Sequence, residues 1–239
     1  MILSLPRRAV TPLFRRGVRA VSTLQSNPHI YAFPRSSSPS THILTLLPTD
    51  PPTESLAIGT TTQLPPTTDS LKENHHFLSI LEDVLKHHAA EDPMVQGQAA
   101  AFASTSGSAL GSGGMFFPQQ RGKRGVKKAG GGGGTGGDGA GGASSQGGAG
   151  GGGRGGWLHV SDARAPPDYG RIAWPEDIFG SLEVDGRGEF VAGDDGTRGC
   201  WQSSGSYRVI TREGILGLSD YIRGKLIERL REEEQKSVI

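Results

Sequence analysis

Apolar positions along the chain follow two periodicities, and each marks a different part of it. Phe77, Ile80, Leu81, Val84, Leu85 and His88 recur every three or four residues, the spacing of one helical face. They predict a helix from about Asp69 to Ala90, with Thr68 or Asp69 as its cap. Asp92-Pro93, a capping acid followed by a first-turn proline, opens a second helix that runs through Phe102. A third follows Ser219 and runs to about Glu234. Ile222, Leu226, Ile227 and Leu230 form its apolar stripe; Arg223 intrudes on that face and is expected to snorkel, while Lys225, Glu228 and Arg231 face water.

Strand signals gather in the last third. Trp157-Leu158-His159-Val160 reads as a short strand. Ser181-Leu182-Glu183-Val184 and Glu189-Phe190-Val191 flank Asp185-Gly186-Arg187-Gly188, and Asp-Gly is a strong hairpin turn. Ser206 to Thr211 reads as a third strand, and Pro175 to Phe179 as one helical turn ended by Gly180. The predicted class is α+β. A small C-terminal antiparallel sheet packs against a C-terminal helix in residues 157–239, preceded by largely disordered Pro- and Gly-rich regions holding one or two helices.

Composition supplies that last clause. Residues 23–68, rich in Pro, Ser and Thr, carry Pro28, Pro34, Pro39, Pro48, Pro51, Pro52, Pro65 and Pro66, a density that argues against long helices and central strands. Ile30-Tyr31-Ala32-Phe33 and Ile43 to Leu47 stand out as short docking pieces. Residues 69–104 form the helical segment. In the basic and glycine-rich segment 105–156, 18 of the 27 residues from Gly130 to Gly156 are glycine, which predicts a disordered linker.

Charge divides the chain again. The first 49 residues hold six Arg and no acid. An Arg-rich, acid-free start is the composition of an organelle transit peptide, here residues 1–22. On a helix opened by Thr11-Pro12, Leu13, Phe14, Val18 and Val21 lie opposite Arg15, Arg16 and Arg19, a geometry suited to import driven by a potential negative inside. Arg19-Ala20-Val21-Ser22 resembles the sites cut by the matrix processing peptidase. The expected location is therefore the mitochondrial matrix. No run approaches the roughly 18 apolar residues of a membrane span, so stable membrane insertion is not expected.

Candidate chemistry is sparse. Asp162, Arg164, Asp168, Arg171, Glu176 and Asp177 lie within sixteen residues on predicted loops. They suit either an anion or peptide clamp, with forked arginine contacts, or a set of mutual pairs that hold a proline-rich loop, and the second reading is favoured. Arg121, Lys123, Arg124, Lys127, Lys128 and the Arg154-Gly-Gly element are a candidate nucleic-acid contact through phosphate attraction. His75, His76, His87 and His88 do not make a metal site: His76 and His87 share a face but stand about 16 Å apart along a helix, far beyond ligand bonds of about 2 Å. The single cysteine, Cys200, has only His159 within its segment as a potential base. A glycine-loop phosphate motif is absent. No catalytic residue and no cofactor is expected.

Several short stretches together carry a resemblance. His159-Val160-Ser161-Asp162, Pro166-Pro167-Asp168-Tyr169-Gly170-Arg171-Ile172, Pro175-Glu176-Asp177-Ile178-Phe179-Gly180, Ser204-Gly205-Ser206-Tyr207-Arg208 and Glu213-Gly214-Ile215-Leu216-Gly217-Leu218-Ser219 resemble a family of fungal mitochondrial proteins with no assigned activity. The likeness covers the last third and, more loosely, the proline-rich stretch after the leader. It implies a location and transfers no site residue. The expected role is a non-enzymatic, protein-binding or assembly factor with a protein partner. The alternative is an RNA- or ribosome-associated factor acting through the basic linker.

Overall fold

In the computed structural model, residues 22–103, 155–167, 172–193 and 196–238 are described. Residues 1–21 of the expected leader, most of the glycine-rich linker, Asp168 and Arg171 lie outside them, while Ser22, the last residue of that leader, is in a strand. The class is α+β, with antiparallel sheets and a C-terminal helix after the strands.

The proline-rich segment differs from expectation. With Ser22 before it and Leu71 to Glu73 after it, it builds a five-stranded antiparallel meander: β1 (Ser22–Thr23), β2 (Tyr31–Arg35), β3 (Ser38–Thr45), β4 (Gly59–Thr61) and β5 (Leu71–Glu73), neighbours in that order. The prolines are placed where a missing N–H does little harm. Pro34 lies beyond the reach of β1, which pairs only with Tyr31 and Ala32, and beside a register shift; edges and bulges are where strands accept proline. Pro39 precedes the stretch of β3 that pairs with β4. The remaining prolines fall in connections. Ile30, Ala32, Leu44 and Leu46 turn to the main core, while Phe33 and Ile43, directly paired, are buried on the other face.

Helix α1 (His75–His88) starts later than the periodicity suggests. Leu71 to Glu73 pair with Thr61 to Gly59 instead, so a ladder takes residues assigned to the first helical turn. Asn74 is the true cap. Its Oδ1 accepts from His76 N at 3.0 Å, and its Nδ2 donates to Ser55 O and Ala57 O at 2.8 and 2.7 Å. The expected apolar face of α1 is buried through Phe77, Ile80, Leu81, Val84 and Leu85. Helix α2 (Pro93–Ala103) begins as expected, with Asp92 Oδ1 accepting from Met94 N at 2.8 Å.

Beyond the linker, β6 (Gly156–Ser161), β7 (Ile178–Val184) and β8 (Gln202–Ser203) form a three-stranded sheet. The expected hairpin turn is present, with Asp185 Oδ1 accepting from Arg187 N and Glu189 N at 2.8 Å and Gly188 at φ +78°. The turn at Pro175 closes after Asp177, and Ile178-Phe179-Gly180 join β7 because they pair with β6. The predicted strand at 206–211 shrinks to β9 (Ile210–Thr211), which pairs with β10 (Gly214–Ile215). Ser219 caps α3 (Asp220–Val238), its Oγ accepting from Ile222 N at 3.1 Å.

One core joins the two halves. Ile30, Leu44, Phe77 and Leu81 belong to the same buried cluster as Leu182, Val209, Leu226 and Leu230, so residues 157–239 do not close a core of their own. Helix α3 lies along α1, where Arg229 approaches Asp83 at 3.8 Å. Trp201 Nε1 donates to Glu82 Oε1 at 2.6 Å, Asn27 Nδ2 to Leu216 O at 2.9 Å, and Tyr221 Oη to Glu91 Oε2 at 2.6 Å.

Candidate functional site

Of the six loop residues singled out, Asp162, Arg164 and Asp177 come together, and they do so inside the protein. Asp162 follows β6, Asp177 precedes β7, and the Ser161–Ile178 pairing sets them side by side. Their side chains are 0% and 1% exposed, and that of Arg164 is 3% exposed. Burying a guanidinium is costly unless its donors are satisfied, and here they are. Nε donates to Asp177 Oδ1 at 2.7 Å, one terminal nitrogen to Val209 O at 2.8 Å, and the other to Glu176 O at 3.0 Å and Arg208 O at 2.8 Å. Arg164 is therefore a knot that ties three chain segments, and its fork is turned to the protein interior.

Asp162 is equally engaged. Oδ1 accepts from Arg164 N and Gly217 N, each at 2.8 Å, and Oδ2 from Tyr207 Oη at 2.9 Å. Burial raises its pKa, opposed by the Arg164 charge and these donors. Burial first, and then the Asp162 carboxylate, push the Tyr207 hydroxyl well above its ordinary value, which keeps it a donor. Arg164 lies 5.4 Å from the centre of the Tyr207 ring, which in turn packs at 4.5 Å on Phe179. Tyr207 was legible only as a strand residue; nothing in its spacing connects it to Asp162, 45 positions away.

The knot shapes a surface cleft. Glu176 O and Arg208 O, both held by Arg164, belong to residues lining a depression of about 720 Å³ between β5 and residues 205–208. Leu71, Glu73, Trp174, Pro175 and Ser206 are among its other walls. Trp174 is 72% exposed, an indole held in water by a backbone fixed on its C-terminal side: Asp177 N donates to Trp174 O at 2.8 Å and Ser206 Oγ to Pro175 O at 2.8 Å. Glu176 and Arg208 are exposed and joined through the backbone, with Arg208 N donating to Glu176 O at 3.1 Å. Their charged ends have no partner among the described residues. Composition marked Trp174 only as a sign of a folded segment; its Pro-Glu-Asp surroundings were the available signal that it faces water.

Other candidates separate. Asp168, Arg171, Arg121, Lys123, Arg124, Lys127, Lys128 and Arg154 lie outside the described residues. The Cys200 and His159 side chains have different neighbours: Cys200 Sγ faces Ala192 O at 3.6 Å, while His159 Nδ1 meets Ser181 Oγ at 2.8 Å across the sheet. Burial lowers the His159 pKa. His87 and His88 engage Asp83 and Glu91. Among the described residues no group of three His, Cys, Asp or Glu side chains is placed to hold a metal ion, and no helix is long and apolar enough to cross a membrane.

Comparison with protein-family models, with curated proteins and with solved structures finds no match to this chain.

Proposed function

We propose that this is an imported mitochondrial protein, resident in the matrix, that binds a partner protein as an assembly factor, with the Trp174 cleft as its contact surface. One observation carries the reading: a large aromatic side chain, 72% exposed, stands on a backbone braced by the buried Arg164 guanidinium. Interfaces are anchored by tryptophan, tyrosine and arginine on preorganised surfaces, and Trp174 and Arg208 occupy one rim. The address rests on the arginine-rich leader. Removal of residues 1–22 would leave Thr23 of β1 and the buried Leu24 in the mature chain.

The test is recovery of the tagged full chain from isolated mitochondria, as wild type and as Trp174→Ala. Trp174 contributes little to the core, so the variant is expected to melt like the wild type. A stoichiometric companion protein is expected with the wild type. Truncating an anchoring tryptophan weakens binding by about 2 kcal/mol or more, roughly 30-fold, so the companion should be lost with the variant. Recovery of the same companion with both proteins would overturn the cleft, and an uncleaved chain in the cytosol would overturn the address.

A further inference from the structure

We infer that the cleft receives an extended segment of the partner protein as an added strand on the free edge of β5. The inference rests on the protein-binding reading above and specifies its mode. β5 is the outermost strand of the meander. The phase of its ladder follows from one bond: Asn74 N donates to Ile58 O at 3.0 Å. That bond flanks the Gly59–Glu73 pair, which therefore exchanges no hydrogen bonds of its own. The peptide groups of Leu71 and Glu73 consequently point away from β4.

Leu71 N–H is used locally, donating to Thr67 O at 3.0 Å. Leu71 C=O and Glu73 N–H have no partner among the described residues, and both residues line the cleft. An exposed strand edge with unpaired donors and acceptors is the template for strand addition. The opposite wall, residues 205–208, does not fill it. Contact between the walls is made by a side chain, with Val209 N donating to Glu73 Oε1 at 3.1 Å.

Side chains then select the occupant. In an added strand successive residues face opposite ways, so alternate side chains of the segment face the exposed Trp174 indole. The unpaired Glu176 carboxylate and Arg208 guanidinium stand together on the rim. The segment favoured is extended and apolar at alternate positions, with a basic residue for Glu176 and an acidic one for Arg208. A second copy of this chain, or its own residues 104–154, would be different occupants.

The probe is a random-peptide display library selected on the full chain. Selected peptides are expected to weaken roughly 30-fold with Trp174→Ala. They should lose binding when N-methylated at alternate residues and keep it when N-methylated between them, and they should slow hydrogen exchange at the Glu73 amide. Glu176→Lys should shift selection towards acidic residues at the matching position. Trp174-dependent peptides with no alternation in the N-methyl scan and unchanged Glu73 exchange would sink strand addition while leaving the protein-binding reading intact. Failure to enrich any Trp174-dependent peptide would overturn the inference, as would a dimer of the free chain that Trp174→Ala dissociates.

Discussion

Replacing Arg164 by Met tests the claim that its guanidinium ties the C-terminal segments together. The substitution keeps length and apolar stem but removes four hydrogen bonds, one to Asp177 and three to main-chain carbonyls of Glu176, Arg208 and Val209. It also leaves the carboxylates of Asp162 and Asp177, 0% and 1% exposed, without a cation. Stranding one side of a buried ion pair costs about 3–5 kcal/mol, against a total stability of about 5–15 kcal/mol for a protein. At about 2–4 °C per kcal/mol for a body of this size, melting should fall by roughly 6–20 °C. Urea unfolding followed by tryptophan fluorescence, with linear extrapolation, measures the change. Arg164→Lys keeps the charge but cannot fork to three carbonyls, and should fall between wild type and Arg164→Met. Adding Asp162→Asn and Asp177→Asn to Arg164→Met removes the stranded charges and should recover much of the loss. A Met variant within about 1 kcal/mol of wild type would refute the reasoning, because it would mean that the buried acids do not depend on this cation.

Further outcomes follow from other contacts. Tyr221 is pushed up to about 12, first by its hydrogen bond to Glu91 and then by partial burial. Its folded value exceeds the ordinary 10.0, so the contact contributes fully below pH 10 and is lost as pH rises towards about 12. An absorbance titration of tyrosinate should show, besides the buried Tyr207, a late-titrating group that Glu91→Gln moves down and Tyr221→Phe removes. Gly180→Ala would set a Cβ 2.4 Å from Gln202 O and 2.5 Å from the Trp201 ring, and should cost about 1–3 kcal/mol in urea unfolding. Gly224 lies in α3 with nothing within 4 Å of an added Cβ. Gly224→Ala should therefore stabilise by about 0.5–1 kcal/mol, read as a higher melting temperature.

What the sequence determined is what local chemistry controls. The buried stripe of α1, the Asp92-Pro93 start of α2, the Asp185 hairpin and the Ser219 cap of α3 all involve residues within a few positions of one another, and each was legible. Three features were decided only by tertiary structure. Residues 23–68 looked too proline-rich for a sheet. Whether a proline harms a strand depends on which side its missing N–H faces, and that is set by the neighbouring strand. Leu71 to Glu73 fit a helical period until a ladder with Gly59 to Thr61 claimed them. Arg164 and its acids were recognised as mutual partners, but Tyr207, Gly217 and the carbonyl of Val209 lie some 45 to 55 positions on and carry no local mark. The exposed indole of Trp174 likewise depends on a backbone held from beneath by that knot. Helix faces and caps repeat at fixed spacing and can be counted along a chain; sheet edges and buried ion pairs form between distant segments, and only folding brings them together.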